Sequence, residues 1–374
     1  MSDFPGPAAP WRLRVRRSAD GAVLGTGFLI LPDTALTCAH VIAEEDSPAE
    51  VLIDLAAGGP HGTRGARAAA VPVAGWSGDM SRDIAVLSLP HRLPDAVPAV
   101  LATGPPPSTA TPLLAFGFPR GFGAPAGGGR ADEATGPGVW TRVVAEGAGF
   151  DGGLLQYTSA EPHSTPVQQG FSGGPVVDDR TGLVVAMTTH AKPGQAISYG
   201  IPAQALRDRL PPDVAERVRG GTRPPPALAR VAAALNRRGP GGGRAPDFAT
   251  ARASLAALLS LGPEHSDIAY YAALTAFGGR RPRETAVVDV LPRLDRRFRE
   301  SYEAGAATPH LRALWAVFKE DGFIGRGLGD RPPRAGELSP SADHTAPRHA
   351  DEICDLVPTP ESPTWQRLDR RRRP

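Results

Sequence analysis

Three short segments hold side chains that together can activate a hydroxyl for attack on a carbonyl. Thr37-Cys38-Ala39-His40-Val41 supplies an imidazole, and Arg82-Asp83-Ile84-Ala85-Val86-Leu87 supplies a carboxylate directly before an apolar run. Gly170-Phe171-Ser172-Gly173-Gly174-Pro175-Val176 supplies a hydroxyl set among glycines. A serine hydroxyl is a weak nucleophile near neutral pH and needs a base within hydrogen-bond reach. Histidine suits that role, and a buried aspartate suits the role of orienting it. Glycines beside the serine allow the tight turn that aims backbone N–H groups at a developing oxyanion. Each segment alone has an ordinary reading: a satisfied core histidine, a strand-capping aspartate, a turn serine. Asp79 competes with Asp83 for the acid, and Asp83 is preferred because it directly precedes the apolar run. The order His, Asp, Ser in one chain gives the combination its weight.

These residues must be positioned by short strands. From Trp11 to about Ile201, apolar runs alternate with Gly, Pro, Asp and Ser. Strands are expected at Val23–Leu31, Val51–Leu55, Ile84–Leu89, Leu113–Phe118, Val139–Val144, Leu154–Thr158, Pro175–Val177, Leu183–Thr188 and Ala196–Ile201. Their length and turn-rich borders predict an all-β sandwich or barrel, and the lack of intervening helical patterns argues against a parallel α/β sheet. Gly58–Ala70 and Phe122–Gly138 read as glycine-rich surface loops.

At this point the chain resembles the chymotrypsin-clan serine peptidases, in the bacterial trypsin-like and HtrA-like form. The three segments carry the resemblance, with Gly25-Thr26-Gly27-Phe28-Leu29-Ile30, Ala115-Phe116-Gly117-Phe118-Pro119 and Ser198-Tyr199-Gly200-Ile201-Pro202. The resemblance implies an all-β double β-barrel with the site between two six-stranded barrels. It makes Ser172 the nucleophile, His40 the base and Asp83 its orienting acid. It places an oxyanion hole at the backbone N–H groups of Gly170 and Ser172. It makes Ser198, Tyr199 and Gly200 the strand that pairs with substrate, and puts Pro166 and Ile197 at the specificity pocket. The implied function is serine endopeptidase, acting through an acyl-enzyme on a protein or peptide substrate, with no metal or organic cofactor.

The sequence also departs from the secreted digestive members. They place an aspartate before the serine to receive a newly released N-terminus; here that residue is Phe171, so activation by N-terminal insertion is not expected. Pro166 stands where a basic-residue specificity would need an aspartate, which leaves a small or apolar residue before the scissile bond. Cys38 lacks a nearby partner and reads as a small buried side chain.

The 374 residues are charge-balanced at +2, with 41% hydrophobic residues, 44 glycines and 41 prolines. That balance gives no reason to expect nucleic acid or a membrane as partner. Two cysteines, no signal-peptide pattern and no spanning apolar run point to a cytoplasmic protein. The expected organisation is a disordered N-terminus (1–10), the protease domain (11–212), a linker (213–226), a smaller all-α domain (227–325) and a disordered tail (326–374). Ala203–Leu210 and Asp213–Val218 look helical, and helical spacing is present at Leu228–Asn236, Phe248–Leu261, Asp267–Phe277, Thr285–Phe298 and Leu311–Phe318. Residues 253–279 resemble a helix-pair repeat of the tetratricopeptide sort, with a plain helical bundle the equal alternative. Such an extension would bind a regulatory protein or recruit substrate, as in bacterial conflict or regulated-proteolysis systems. The rival to the enzyme reading is a non-enzymatic protease-fold module whose helical part is the working surface.

Overall fold

A computed structural model of the chain describes residues 10–43, 50–56, 66–73, 76–93, 96–119, 138–148, 153–160, 165–192, 195–219, 225–261, 266–284, 290–303, 305–327 and 329–372. Their contacts form two compact units, 1–223 with 261–263, and 224–260 with 264–374.

The first unit holds two closed antiparallel barrels of six strands. Strands β1 (Arg12–Arg17), β2 (Val23–Leu31), β3 (Thr34–Thr37), β4 (Glu50–Leu55), β5 (Ala66–Pro72) and β6 (Ala85–Ser88) close in the order β1-β2-β3-β6-β5-β4. Strands β7 (Pro112–Gly117), β8 (Val139–Ala148), β9 (Leu155–Ser159), β10 (Pro175–Asp178), β11 (Val184–Ala191) and β12 (Ile197–Pro202) close in the order β10-β11-β12-β9-β8-β7. Closure leaves no free sheet edge except where a strand outruns its neighbour. A short helix, α1 (Ala39–Ala43), follows β3, and α2 (Ala203–Arg209) and α3 (Pro212–Arg219) follow β12.

Strand β1 escapes the sequence pattern because its polar positions are arginines. Leu13 and Val15 are fully buried, while the buried Arg12 guanidinium lies 4.4 Å from the centre of the Phe116 ring. Burial holds that guanidinium down at a pKa of about 10. Residues 66–70, expected as loop, form β5 and pair with β4 and β6, alanines supplying the small inward positions. The expected loop at 122–138 and the N-terminal segment lie almost wholly outside the described residues. Of the expected linker at 213–226, residues 213–219 belong to α3, where the sequence already looks helical, with Val214 buried and Arg217 bonded to Asp33 at 2.5 and 2.8 Å; residues 220–224 lie outside the described residues.

The second unit is helical: α4 (Pro226–Leu235), α5 (Phe248–Leu261), α6 (Ser266–Phe277), α7 (Val290–Glu303), α8 (Pro309–Phe318), α9 (Ala335–Leu338), α10 (Pro347–Leu356) and α11 (Pro363–Arg372). Helix α6 packs on α4, α7, α8 and α10, and α8 packs on α6, α7, α9, α10 and α11. Both are buried on nearly every side, as a helix apolar all round must be. This is a bundle around two central helices, not a stack of repeating pairs. The expectation of a disordered tail at 326–374 is overturned. Ala342, Ile353, Leu356, Val357 and Leu368 are buried at 0 or 1% exposure. Three of the prolines there are helix starts: Pro347 and Pro363 each open an α-helix, and Pro340 stands in the first turn of a 3-10 helix. Ile353→Ala and Leu368→Ala should each destabilise this unit by about 2–5 kcal/mol, the cost of emptying a closed core site. Denaturant melts followed by tryptophan fluorescence will read this; a midpoint unmoved by both substitutions would contradict the packed tail.

Candidate active site

His40 is the second residue of α1, immediately after the turn that ends β3. Asp83 follows the single 3-10 turn Met80–Arg82 and precedes β6, which pairs with β3. Strand pairing therefore brings the two together across 43 residues. The Asp83 side chain is fully buried. One oxygen accepts the His40 backbone N–H at 2.8 Å and the other meets His40 Nδ1 at 2.5 Å. A carboxylate can only accept, so Nδ1 carries the proton and Nε2 is left as the basic nitrogen. The imidazole is 30% exposed, enough for Nε2 to reach a reactant. Asp79 instead caps the preceding turn, accepting from the Ser81 amide at 2.8 Å, and that hydrogen bond holds its carboxyl below the usual range.

Behind this pair lies Cys38, free and fully buried, its thiol donating to the Thr188 carbonyl at 3.2 Å. Burial, and then the neighbouring Asp83, raise its pKa well above the ordinary thiol value. The Cys38, His40 and Asp83 ligand atoms lie within 4.8 Å of one another. A metal there would have to break the Nδ1–carboxylate bond and strip a buried thiol of its proton, so these groups fit the hydrogen-bonded pair better than a cation.

Ser172 sits in a turn that only glycine permits. Gly170 has φ +101°, and a Cβ there would lie 1.9 Å from the Phe118 carbonyl oxygen. Gly173 has φ +80°, and a Cβ would lie 2.2 Å from the Thr26 oxygen. Both barrels hold the turn. Thr26 Oγ1 donates to the Gly170 carbonyl at 2.7 Å and the Thr26 amide to the Ser172 carbonyl at 2.9 Å. On the other side, Phe118 N–H donates to the Gly170 carbonyl at 3.1 Å, and Gly173 N–H to Thr188 at 2.9 Å. Phe171 is fully buried, its ring over Gly117, where a Cβ would come within 2.5 Å. The amides of Gly170 and Ser172 donate to no acceptor among the described residues, which leaves both N–H groups for a ligand oxygen.

The Ser172 hydroxyl donates to the Thr189 carbonyl at 3.1 Å, and no hydrogen bond joins it to His40. Thr189 belongs to β11, and this corrects the expectation for Ser198, Tyr199 and Gly200. Those residues lie in β12, which is paired on one side with β11 and on the other with β9. With both edges bonded, β12 has no backbone groups left for a peptide. Strand β11 differs: beyond Met187 it outruns β10, His190 and Ala191 pair with β12 alone among the described residues, and Thr189 sits at a bulge in that pairing. The chain signal for this was weak, because Thr188-Thr189-His190 carries no motif and its role comes only from strand register. Ile197 is half-buried at the start of β12, and Pro166 is exposed beside Thr165, whose carbonyl accepts from Thr141 Oγ1 at 2.5 Å. His190 stacks on Tyr199 with ring centres 4.8 Å apart.

Residues 25–187 match the family model described as trypsin-like peptidase domain. Serine protease Rv3671c of Mycobacterium tuberculosis is 30% identical over 163 residues, which is 41% of this chain and 33% of that protein. The chain thus spans about a third of the length of the curated relatives it matches. Among solved structures, the Rv3671c protease in an inactive form is 25% identical, covering 54% of this chain and 88% of that one, with a TM-score of 0.36. The serine endoprotease from Yersinia pestis is 22% identical, covering 57% and 64%, with a TM-score of 0.39. Human heparin binding protein is 15% identical, covering 54% and 90%, with a TM-score of 0.41. No helix among the described residues is long and apolar enough to cross a membrane. The segment that contains His40, Asp83 and Ser172 is thus similar over residues 25–187 to the trypsin-like peptidase domain family.

Proposed function

We propose that the chain is a serine endopeptidase in which Ser172 is the nucleophile, His40 the general base and Asp83 its orienting acid. The observation that carries this reading is the doubly bonded Asp83–His40 pair, which fixes the imidazole tautomer and leaves Nε2 basic beside the serine turn. Ser172 Oγ attacks the scissile carbonyl carbon as its proton passes to His40 Nε2. The oxyanion is received by the Gly170 and Ser172 amides. His40 then protonates the leaving amine, and water activated by the same imidazole releases the acyl group.

Substrate approaches as an extra strand on the open edge of β11 at Thr189–Ala191. The Thr189 carbonyl then has two claimants, the resting Ser172 hydroxyl and an incoming peptide N–H. A bound substrate that takes this acceptor frees Ser172 to turn toward His40. That resting bond favours a second form of the same reading, an enzyme silent until this edge is occupied. The free, buried cysteines support a cytoplasmic setting. The helical unit, with its own core, is the part available to a regulator or to substrate recruitment.

A fluorophosphonate probe should label the wild type, and Ser172→Ala should abolish labelling. Asp83→Asn should keep the fold and lower kcat by about 10⁴-fold, because the wrong tautomer faces the serine. A wild-type protein that stays unlabelled both alone and with peptide substrates present would refute the enzyme reading. Labelling only with peptide present would mark the Thr189 bond as the gate. Phe171 anchors its turn by packing, with no charge for a new N-terminus to meet. Removal of residues 1–9 should therefore leave kcat/KM within about twofold; a large gain on trimming would show an N-terminal switch.

A further inference from the structure

The helical unit contains a cavity of about 950 Å³ with an excess of positive charge. Its walls come from α7, from the π-helical turn Lys319–Phe323 that follows α8, and from residues 329–332. An internal ion network fixes those walls. Lys319 is one of only two lysines in a chain that otherwise uses arginine, and it is 2% exposed. Its ammonium donates to the Arg331 carbonyl at 2.8 Å and to Asp330 at 3.4 Å, and stands 3.8 Å from Asp295. Asp295 also accepts the Trp315 indole N–H at 2.8 Å and pairs with Arg299 at 3.1 Å. Arg299 is further tied to the Pro332 carbonyl. Both carboxylates are thus satisfied from within, and three separate segments are locked around one space.

What remains is unspent. Arg296 and Arg331 line the cavity, are exposed, and have no acceptor among the described residues. Four cations (Arg296, Arg299, Lys319 and Arg331) face two carboxylates (Asp295 and Asp330), an excess of two positive charges. Phe323, Pro292 and Pro332 supply apolar walls beside them. A phosphate monoester carries about two negative charges and three acceptor oxygens, which match that excess, and guanidinium forks bind such oxygens in pairs. The volume falls within the range of ordinary small-molecule sites, about 300–1,000 Å³.

We infer that this cavity binds a small organic phosphate, its phosphate held by Arg296 and Arg331 and its body laid against Phe323 and the two prolines. Such a ligand joins α7 to the 329–332 segment and so stabilises the helical unit. Isothermal titration of the full chain with adenosine 5′-monophosphate, glucose 6-phosphate, inorganic phosphate and adenosine tests it. At least one of the two esters should bind at least tenfold tighter than inorganic phosphate and than adenosine. The Arg296→Ala/Arg331→Ala double variant, with an unchanged circular dichroism spectrum, should lose at least tenfold in affinity for that ester. Ser172→Ala should bind it as the wild type does, which keeps this result separate from the peptidase reading. The inference fails if neither ester binds at millimolar concentration, if inorganic phosphate binds as tightly as both, or if the double variant binds unchanged. A glutamate-rich peptide that binds where both esters do not would also overturn it.

Discussion

The peptidase unit depends on one turn being bonded to both barrels at once. Residues 170–174 have almost no freedom. Thr26 of β2 takes their carbonyls from one side, while Phe118 and Thr188 hold them from the other. The backbones approach so closely that a single methyl at Gly170 or Gly173 would overlap a carbonyl oxygen. Thr37 Oγ1 extends the tie by donating to the Thr26 carbonyl at 2.7 Å, one residue before Cys38 and three before His40. The same backbone contacts that place Ser172 therefore set the register of the strand leading to the imidazole. A site built this way inherits the rigidity of two closed barrels, and only its side-chain rotors remain to be set.

Burying Asp83 completely is costly for an ionised group, and the fold offsets this with an amide and an imidazole N–H. The arrangement is asymmetric. Removing the imidazole would strand a buried carboxylate with one donor, whereas removing the carboxylate would leave a half-exposed ring that water can still satisfy. The pair is thus a constraint on the fold as well as a chemical device. Cys38 fits behind it because a protonated thiol is small, weakly polar and content with one carbonyl.

Legibility in the sequence followed the physical origin of each feature. His40, Asp83 and Ser172 could be read because the surrounding glycines and apolar runs are demanded by local geometry. Strands rich in Val, Ile and Leu, such as β2, β4 and β11, were legible for the same reason. Strand β1 was hidden because Arg12 is buried against Phe116 and Trp140, where a pattern reading assumes solvent. Residues 326–374 were misread because proline and arginine look like disorder, whereas Pro340, Pro347 and Pro363 are helix starts. There the arginines pair with carboxylates from distant turns, as Arg372 does with Asp355 at 2.5 Å. The free end of β11 could not be read at all, since an open edge is a relation between three strands and no residue carries it.

Phe171 shows how packing can replace an electrostatic latch. An aspartate at this position needs a cationic partner before the turn can settle, and so ties activity to the event that supplies one. A phenylalanine needs only a hole. Gly117 provides that hole within the same barrel, so the turn settles when the barrel folds. The amides of Gly170 and Ser172 are then set by folding itself, and what is left free to move is side chain. Within the site that leaves the Ser172 side chain, which rests on Thr189, and the β11 edge that competes for the same carbonyl. If Ser172 is the nucleophile, that edge is therefore a natural point of control, because the turn itself is held by backbone bonds on both sides.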